Sequence, residues 1–256
     1  LLEETFSKIS SGSGLLELLQ FGEASVKSRD EPPKLFKLLD MFETMNNLWP
    51  TFTKLFCSHG CRHLQQKTRD LLKMIVQGAH NILLELKVQI EKQRKVPPKI
   101  DGSLPKVSSF VLAYVKHLVG DFYGPIMSQI LIIYESWKDN NNSNTNNNNN
   151  SDGNAIMVKD NNATNISKKN CDRPLSRAVV KIVNALVFNM LEWASSFKEE
   201  EPVLFHLFLC NNYWYLWVNF QISPGLKAMV GEKWIKDKKQ EAEDHMSLYM
   251  KEGWEK

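Results

Sequence analysis

Between residues 57 and 63 the chain reads Cys-Ser-His-Gly-Cys-Arg-His. Cys57 and Cys61 are four apart, as are His59 and His63, and thiolate and imidazole are the donors that zinc prefers. The chemistry at stake would be metal-assisted hydrolysis, so a metal-dependent enzyme is the rival class against which other readings are weighed. A structural zinc site, however, takes four tetrahedral ligands, normally as two pairs separated by a dozen or more residues. Here all four would come from one turn with Gly60 at its centre, and Cys171 and Cys210 lie far along the chain. The seven residues read better as a turn that closes one helix and opens the next, with Gly60 free to adopt a left-handed conformation. No metal or other cofactor is therefore expected.

Other catalytic patterns do not occur. Ser11-Gly12-Ser13-Gly14 lacks the Gly-Lys-Ser/Thr ending of a phosphate loop and precedes no strand. There is no Gly-x-Ser-x-Gly elbow, no His-Glu-x-x-His, and no acidic pair in apolar surroundings. Glu199-Glu200-Glu201 reads as a solvated helix junction. Lys92, Arg94, Lys95 and Lys99 form a modest basic loop whose chemistry would suit an acidic partner or a lipid headgroup.

The elements that would position these residues are helical. Leu35, Leu38, Phe42, Met45, Trp49, Phe52 and Phe56 step by three and four after Pro32-Pro33, the period of an amphipathic helix. Pro50 should kink or break that helix near Trp49. A cleaner stripe follows, Leu64, Thr68, Leu71, Ile75, Ala79, Ile82, Leu86 and Ile90. Further helices fit Val107 to about Val119 and Pro125 to Trp137, divided by Gly120 and Gly124. Leu175, Val179, Ile182, Leu186, Met190, Trp193 and Phe197 make another stripe, and the last helix is expected from about Glu232. No alternating run with hairpin turns occurs, so the chain is predicted to be all-α, an elongated rod of stacked antiparallel helical bundles.

Residues 139–172 are rich in asparagine and poor in apolar side chains, and are expected to be a disordered loop. They would separate a first bundle, residues 1–138, from a second, residues 173–256. The segment "VLFHLFLCNNYWYLWVNF", Val203 to Phe220, is 18 residues long but carries His206, Asn211, Asn212 and Asn219. Those polar groups are costly in hydrocarbon, so a buried core helix is predicted rather than a membrane span.

Bulk composition agrees. Of 256 residues, 43% are hydrophobic and 24% charged, ordinary values for a globular protein with a sizeable core. A net charge of +3, spread along the chain, gives no reason to expect nucleic acid. Four cysteines do not make a disulfide framework, and no signal-peptide pattern opens the chain, so a reduced, cytosolic setting is expected. The Leu-Leu-Glu-Glu start reads as part of a longer protein.

Several segments resemble one family, the seventy-kilodalton subunit of the exocyst tethering complex, in its plant branch. They are "FSKISSGSGLLELLQFGEA" (Phe6 to Ala24), "PPKLFKLLDMFETM" (Pro32 to Met45), "RPLSRAVVKIVNAL" (Arg173 to Leu186) and "LFHLFLCNNYWYLWVNFQISPGLKAMVGEKWIKDKKQ" (Leu204 to Gln240). The resemblance implies a rod of helical bundles with no enzyme activity, acting in exocytosis by tethering secretory vesicles to the plasma membrane. The partners it implies are other exocyst subunits, Rho-type GTPases and acidic phosphoinositide membranes, with a cytosolic location peripheral to membrane and vesicles. In plants, members also serve as pathogen-effector targets, so an immune-recognition module on the same scaffold is the alternative. Two departures bear on this. Pro105 and Ser109 stand where the family has a histidine and an arginine, and the family's basic lipid-binding tip would lie beyond Lys256. Trp217, Trp234 and Trp254 are the tryptophans expected to be least securely buried.

Overall fold

The computed structural model describes residues 14–56, 61–95, 101–143 and 173–254. Among them are eight α-helices and no strand: α1 (Leu15–Lys27), α2 (Lys34–Leu55), α3 (Arg62–Gln93), α4 (Lys106–Leu118), α5 (Tyr123–Ser143), α6 (Arg173–Ser195), α7 (Pro202–Ile222) and α8 (Pro224–Trp254). The all-α expectation holds.

The chain divides into two compact units that interleave in sequence: Leu1–Leu83 with Ile126–Cys171, and Leu84–Pro125 with Asp172–Lys256. This grouping differs from the division expected at residues 139–172. At 32 residues, α3 is about 48 Å long at the helical rise, long enough to serve two cores, and the boundary falls inside it. Residues 139–143, expected to belong to the loop, are the last turn of α5, which continues to Ser143; adding residues to an existing helix costs far less than starting one. Residues 144–172 lie outside the described residues.

In the first unit, the Pro32-Pro33 pair sets up α2 as the sequence suggests. The Lys34 amide donates to the Glu31 carbonyl and the Leu35 amide to that of Pro32. Leu35, Leu38, Leu39 and Phe42 then face inward, all at most 1% exposed. Lys34 is itself buried, and its ammonium donates to the carbonyls of Val26 (2.6 Å) and Ser28 (2.5 Å) and to Asp30 Oδ1 (2.9 Å). It thereby collects two carbonyls at the end of α1 that the helix leaves without partners.

The expected break at Pro50 does not occur, since α2 is helical through it to Leu55. Pro50 is exposed, so water can satisfy the carbonyl its ring leaves unbonded, and the Thr53 hydroxyl lies within bonding distance of the Trp49 and Pro50 carbonyls. Within this unit α3 buries the predicted stripe, Leu64 to Ile82. Leu71 packs on Gly22 and Leu38 on Gly78, close approaches that a larger residue would crowd. From α5, Met127, Ile130, Leu131 and Ile133 are buried, and Tyr134 stacks on His80 with ring centroids 3.7 Å apart.

In the second unit the whole predicted stripe is buried, Leu175 to Trp193 on α6 and Phe197 just beyond its end. Helix α7 is apolar on nearly every side: Phe205, Phe208, Leu209, Tyr213, Leu216 and Phe220 are all buried, as befits a helix covered by neighbours. It packs most extensively against α8. The pairing is antiparallel, because His206 meets His245, Tyr213 meets Lys238, and Phe220 meets Trp234. The core-helix prediction for this segment therefore stands. By length and hydropathy, Pro174–Ser195 is the described helix that reaches membrane-span values, and its apolar stripe is committed to this core.

Gly102 shows why the Asp101-Gly102 turn carries glycine. Its φ is +71°, and a Cβ there would sit 2.9 Å from the Leu207 side chain. Its carbonyl accepts a 2.8 Å bond from the Asn211 amide, so one of the polar groups of α7 ties down this loop. Gly231, at φ +83° and ψ 162°, interrupts α8. The predicted start near Glu232 is thus the second part of α8; a seven-residue helical segment, Pro224 to Val230, precedes it.

Candidate interaction surfaces

Two of the four residues of the Cys/His cluster, Cys61 and His63, are among the described residues. Cys61 is buried at 3% exposure while His63 is exposed in the first turn of α3; Cys57 and His59 lie outside the described residues. Among the described residues no group of three or more His, Cys, Asp or Glu is arranged to hold a metal ion. Cys210 is buried in α7, and burial pushes its thiol pKa up, the opposite of what an activated nucleophile needs.

The basic segment is partly consumed by its own unit. The Arg94 guanidinium lies over the Phe188 ring at 4.1 Å, its Nε is 3.4 Å from Asn189 Oδ1, and its carbonyl accepts from the Trp193 indole at 3.1 Å. Arg94 is a tie between the end of α3 and α6. Lys92 lies 3.4 Å from Glu85, Lys95 is exposed, and Lys99 is outside the described residues. Pro105 stands at the N-cap of α4 in an extended conformation, and its carbonyl receives the Ser108 and Ser109 amides.

Among the tryptophans, Trp254 is 72% exposed as expected, but Trp214, at 47%, was missed. Trp217 is half covered, with the Lys239 ammonium over its ring at 5.7 Å, and Trp234 leans on Phe220 at 4.7 Å. No local pattern distinguishes Trp214, because α7 is apolar all round and its exposed side is decided by its neighbours.

Two further features are invisible in the local sequence pattern. In the second unit, His206 and His245 approach at 2.9 Å between Nδ1 atoms, flanked by Phe205 and Tyr213. Glu252 Oε1 lies 3.6 Å from His206 Nε2. Burial lowers the pKa of His245 first, and the His206 charge lowers it further, against the opposing pull of Glu241 and Asp244. In the first unit, α1, α2 and α3 enclose an open apolar groove of about 440 Å³. Leu19 and Leu71 lie at its base, Met41, Met45 and Trp49 along one wall, and Leu18, Phe21 and Leu48 at its rim.

Comparison with known proteins gives this arrangement a context. The family model for the C-terminal part of the Exo70 exocyst complex subunit matches residues 2–256. The chain is 29% identical over 254 residues to exocyst complex component EXO70I of Medicago truncatula, covering 98% of this chain and 32% of the relative. It is 25% identical over 256 residues to EXO70A1 of Arabidopsis thaliana, covering 100% of this chain and 34% of that protein. EXO70B1 of the same plant is 22% identical over 252 residues, 98% of this chain and 35% of the relative. The chain thus spans about a third of the length of these relatives. With a match from residue 2 to its last residue, on an all-helical scaffold, the chain belongs to the Exo70 exocyst subunit family, in its C-terminal region.

Proposed function

We propose that this chain works as part of an exocyst subunit, without catalysis, helping to tether secretory vesicles to the plasma membrane through protein–protein contacts. The observation that carries this reading is the family match over residues 2–256, together with relatives whose names assign them to the exocyst complex. Helical bundles suit the role, since ridges and grooves between helices bind partner helices without a reactive site. Other exocyst subunits are the first partners proposed, at a site peripheral to the plasma membrane and vesicles. A Rho-type GTPase and an acidic phosphoinositide surface follow as secondary partners, the latter through Lys92 and Lys95, both exposed.

Affinity capture of the tagged protein from plant extract tests this. Other exocyst subunits should co-purify, and their absence would overturn the reading. A second reading, an immune-recognition module or pathogen-effector target on the same scaffold, is favoured by the departures at Pro105 and Ser109. It predicts capture of an effector without the rest of the complex.

A further inference from the structure

We propose that the groove between α1 and α2 is a docking site for a basic amphipathic helix of a partner protein. Leu18, Phe21 and Leu48 at its rim are 64%, 71% and 59% exposed, and with the apolar interior they form a continuous apolar surface, which marks interaction sites. Met41 and Met45 line the α2 wall, and methionine reshapes readily around another side chain. That wall runs from Asp40 to Phe52, about 18 Å at the helical rise of 1.5 Å per residue. Anchors at i and i+7 of a bound helix span about 10.5 Å, so two turns of a partner would fit along it.

Charge decides which helix. Asp40 lines the groove, and Glu17 on α1 and Glu43 on α2 stand one residue from the lining residues Leu18 and Thr44. Lys37, one turn before Met41, is the cation on the same flank of α2. By the same measure Glu23 and Asp70 stand beside Gly22 and Leu71, and Lys67 and Arg69 beside Thr68, with the Arg69 guanidinium 5.7 Å from the Trp49 ring. Five carboxylates against three cations leave the surroundings of the groove acidic, which favours lysine or arginine flanking the apolar anchors. The same carboxylates oppose an anionic lipid surface. The groove supports this docking by itself, independently of exocyst membership.

The test uses the 256-residue chain and a fluorescent helical peptide with leucines at i, i+4 and i+7 and lysines elsewhere, followed by anisotropy. An acidic twin with glutamates for lysines and a scrambled twin serve as comparisons. Expected are saturable micromolar binding of the basic peptide and at least tenfold weaker binding of both twins. Phe21→Ser and Leu18→Ser, at exposed positions, should each lose at least tenfold while circular dichroism stays unchanged. The double change Asp40→Lys and Glu43→Lys should reverse the preference toward the acidic twin. Absence of binding, equal binding of the scrambled peptide, or indifference to Phe21→Ser or the charge swap would overturn the proposal. So would binding that appears only after Leu2→Ser and Phe6→Ser, which would make the chain's own first residues the occupant. A dimer that Phe21→Ser dissolves would make it a second copy.

Discussion

The Nδ1 atoms of His206 on α7 and His245 on α8 lie 2.9 Å apart. The contact requires one ring to present N–H and the other a lone pair, so it tolerates one added proton on the pair but not two. His245 has its pKa lowered in the folded state, chiefly by burial, so the unfolded chain binds that proton more readily. Stability is therefore full above the unfolded value near 6.5 and falls as pH drops below it toward the folded pKa. Between pH 7.5 and 5.5 the melting temperature should fall, and His245→Gln should flatten that part of the profile. A profile equally steep in both proteins would show that the pair does not carry the dependence.

Lys34 makes a prediction of the opposite kind. Its ammonium is buried and holds two carbonyls as well as Asp30. Lys34→Met should cost about 2–3 kcal/mol in urea unfolding, because buried acceptors lose a charged donor. Asp30 is half exposed, so Asp30→Asn should cost under about 1 kcal/mol. Equal costs would contradict the assignment of Lys34 as a cap for the end of α1.

Asn189, fully buried on α6, donates its amide to the Ile90 carbonyl at 2.5 Å and faces Arg94 Nε with its own oxygen. Asn189→Leu should cost about 1–3 kcal/mol by leaving that carbonyl unpaired. Hydrogen exchange should quicken across residues 90–94 while the first unit keeps its protection. Loss of protection throughout the chain would mean that Asn189 supports more than the end of α3.

The Cys/His cluster predicts indifference. Adding a chelator, or replacing Cys57 and Cys61 together by serine, should leave the helical circular dichroism signal in place. The only cost expected is about 1 kcal/mol for a hydroxyl at the buried Cys61 position. Unfolding by chelator alone would mean a structural metal site.

These residues also mark how far the sequence could be read. The stripes of α3 and α6 were legible because a helix facing one core repeats its apolar residues every three or four positions, and each residue predicted on them is buried. At Pro50, where a kink or a break was expected, the break is absent because the site is exposed and water can satisfy the carbonyl that the ring leaves unbonded. The first segment of α8, Pro224 to Val230, escaped because the predicted start near Glu232 follows Gly231, where the helix is interrupted. Asn189 with Ile90 and His206 with His245 escaped for another reason: partners 99 and 39 residues apart leave no local period. Lys34 sat inside a segment read for its leucines, and only the fold reveals that its ammonium turns inward. The basic segment at Lys92 to Lys99 looked like one patch, but cation–π stacking on Phe188 withdraws Arg94 from it.

Cross-linking mass spectrometry on exocyst assembled with this protein is the most direct measurement of the proposed role. Lysines of the described helices should link to other exocyst subunits at distances spanned by the reagent. A complex whose remaining subunits cross-link to one another while this chain links to none of them would contradict it.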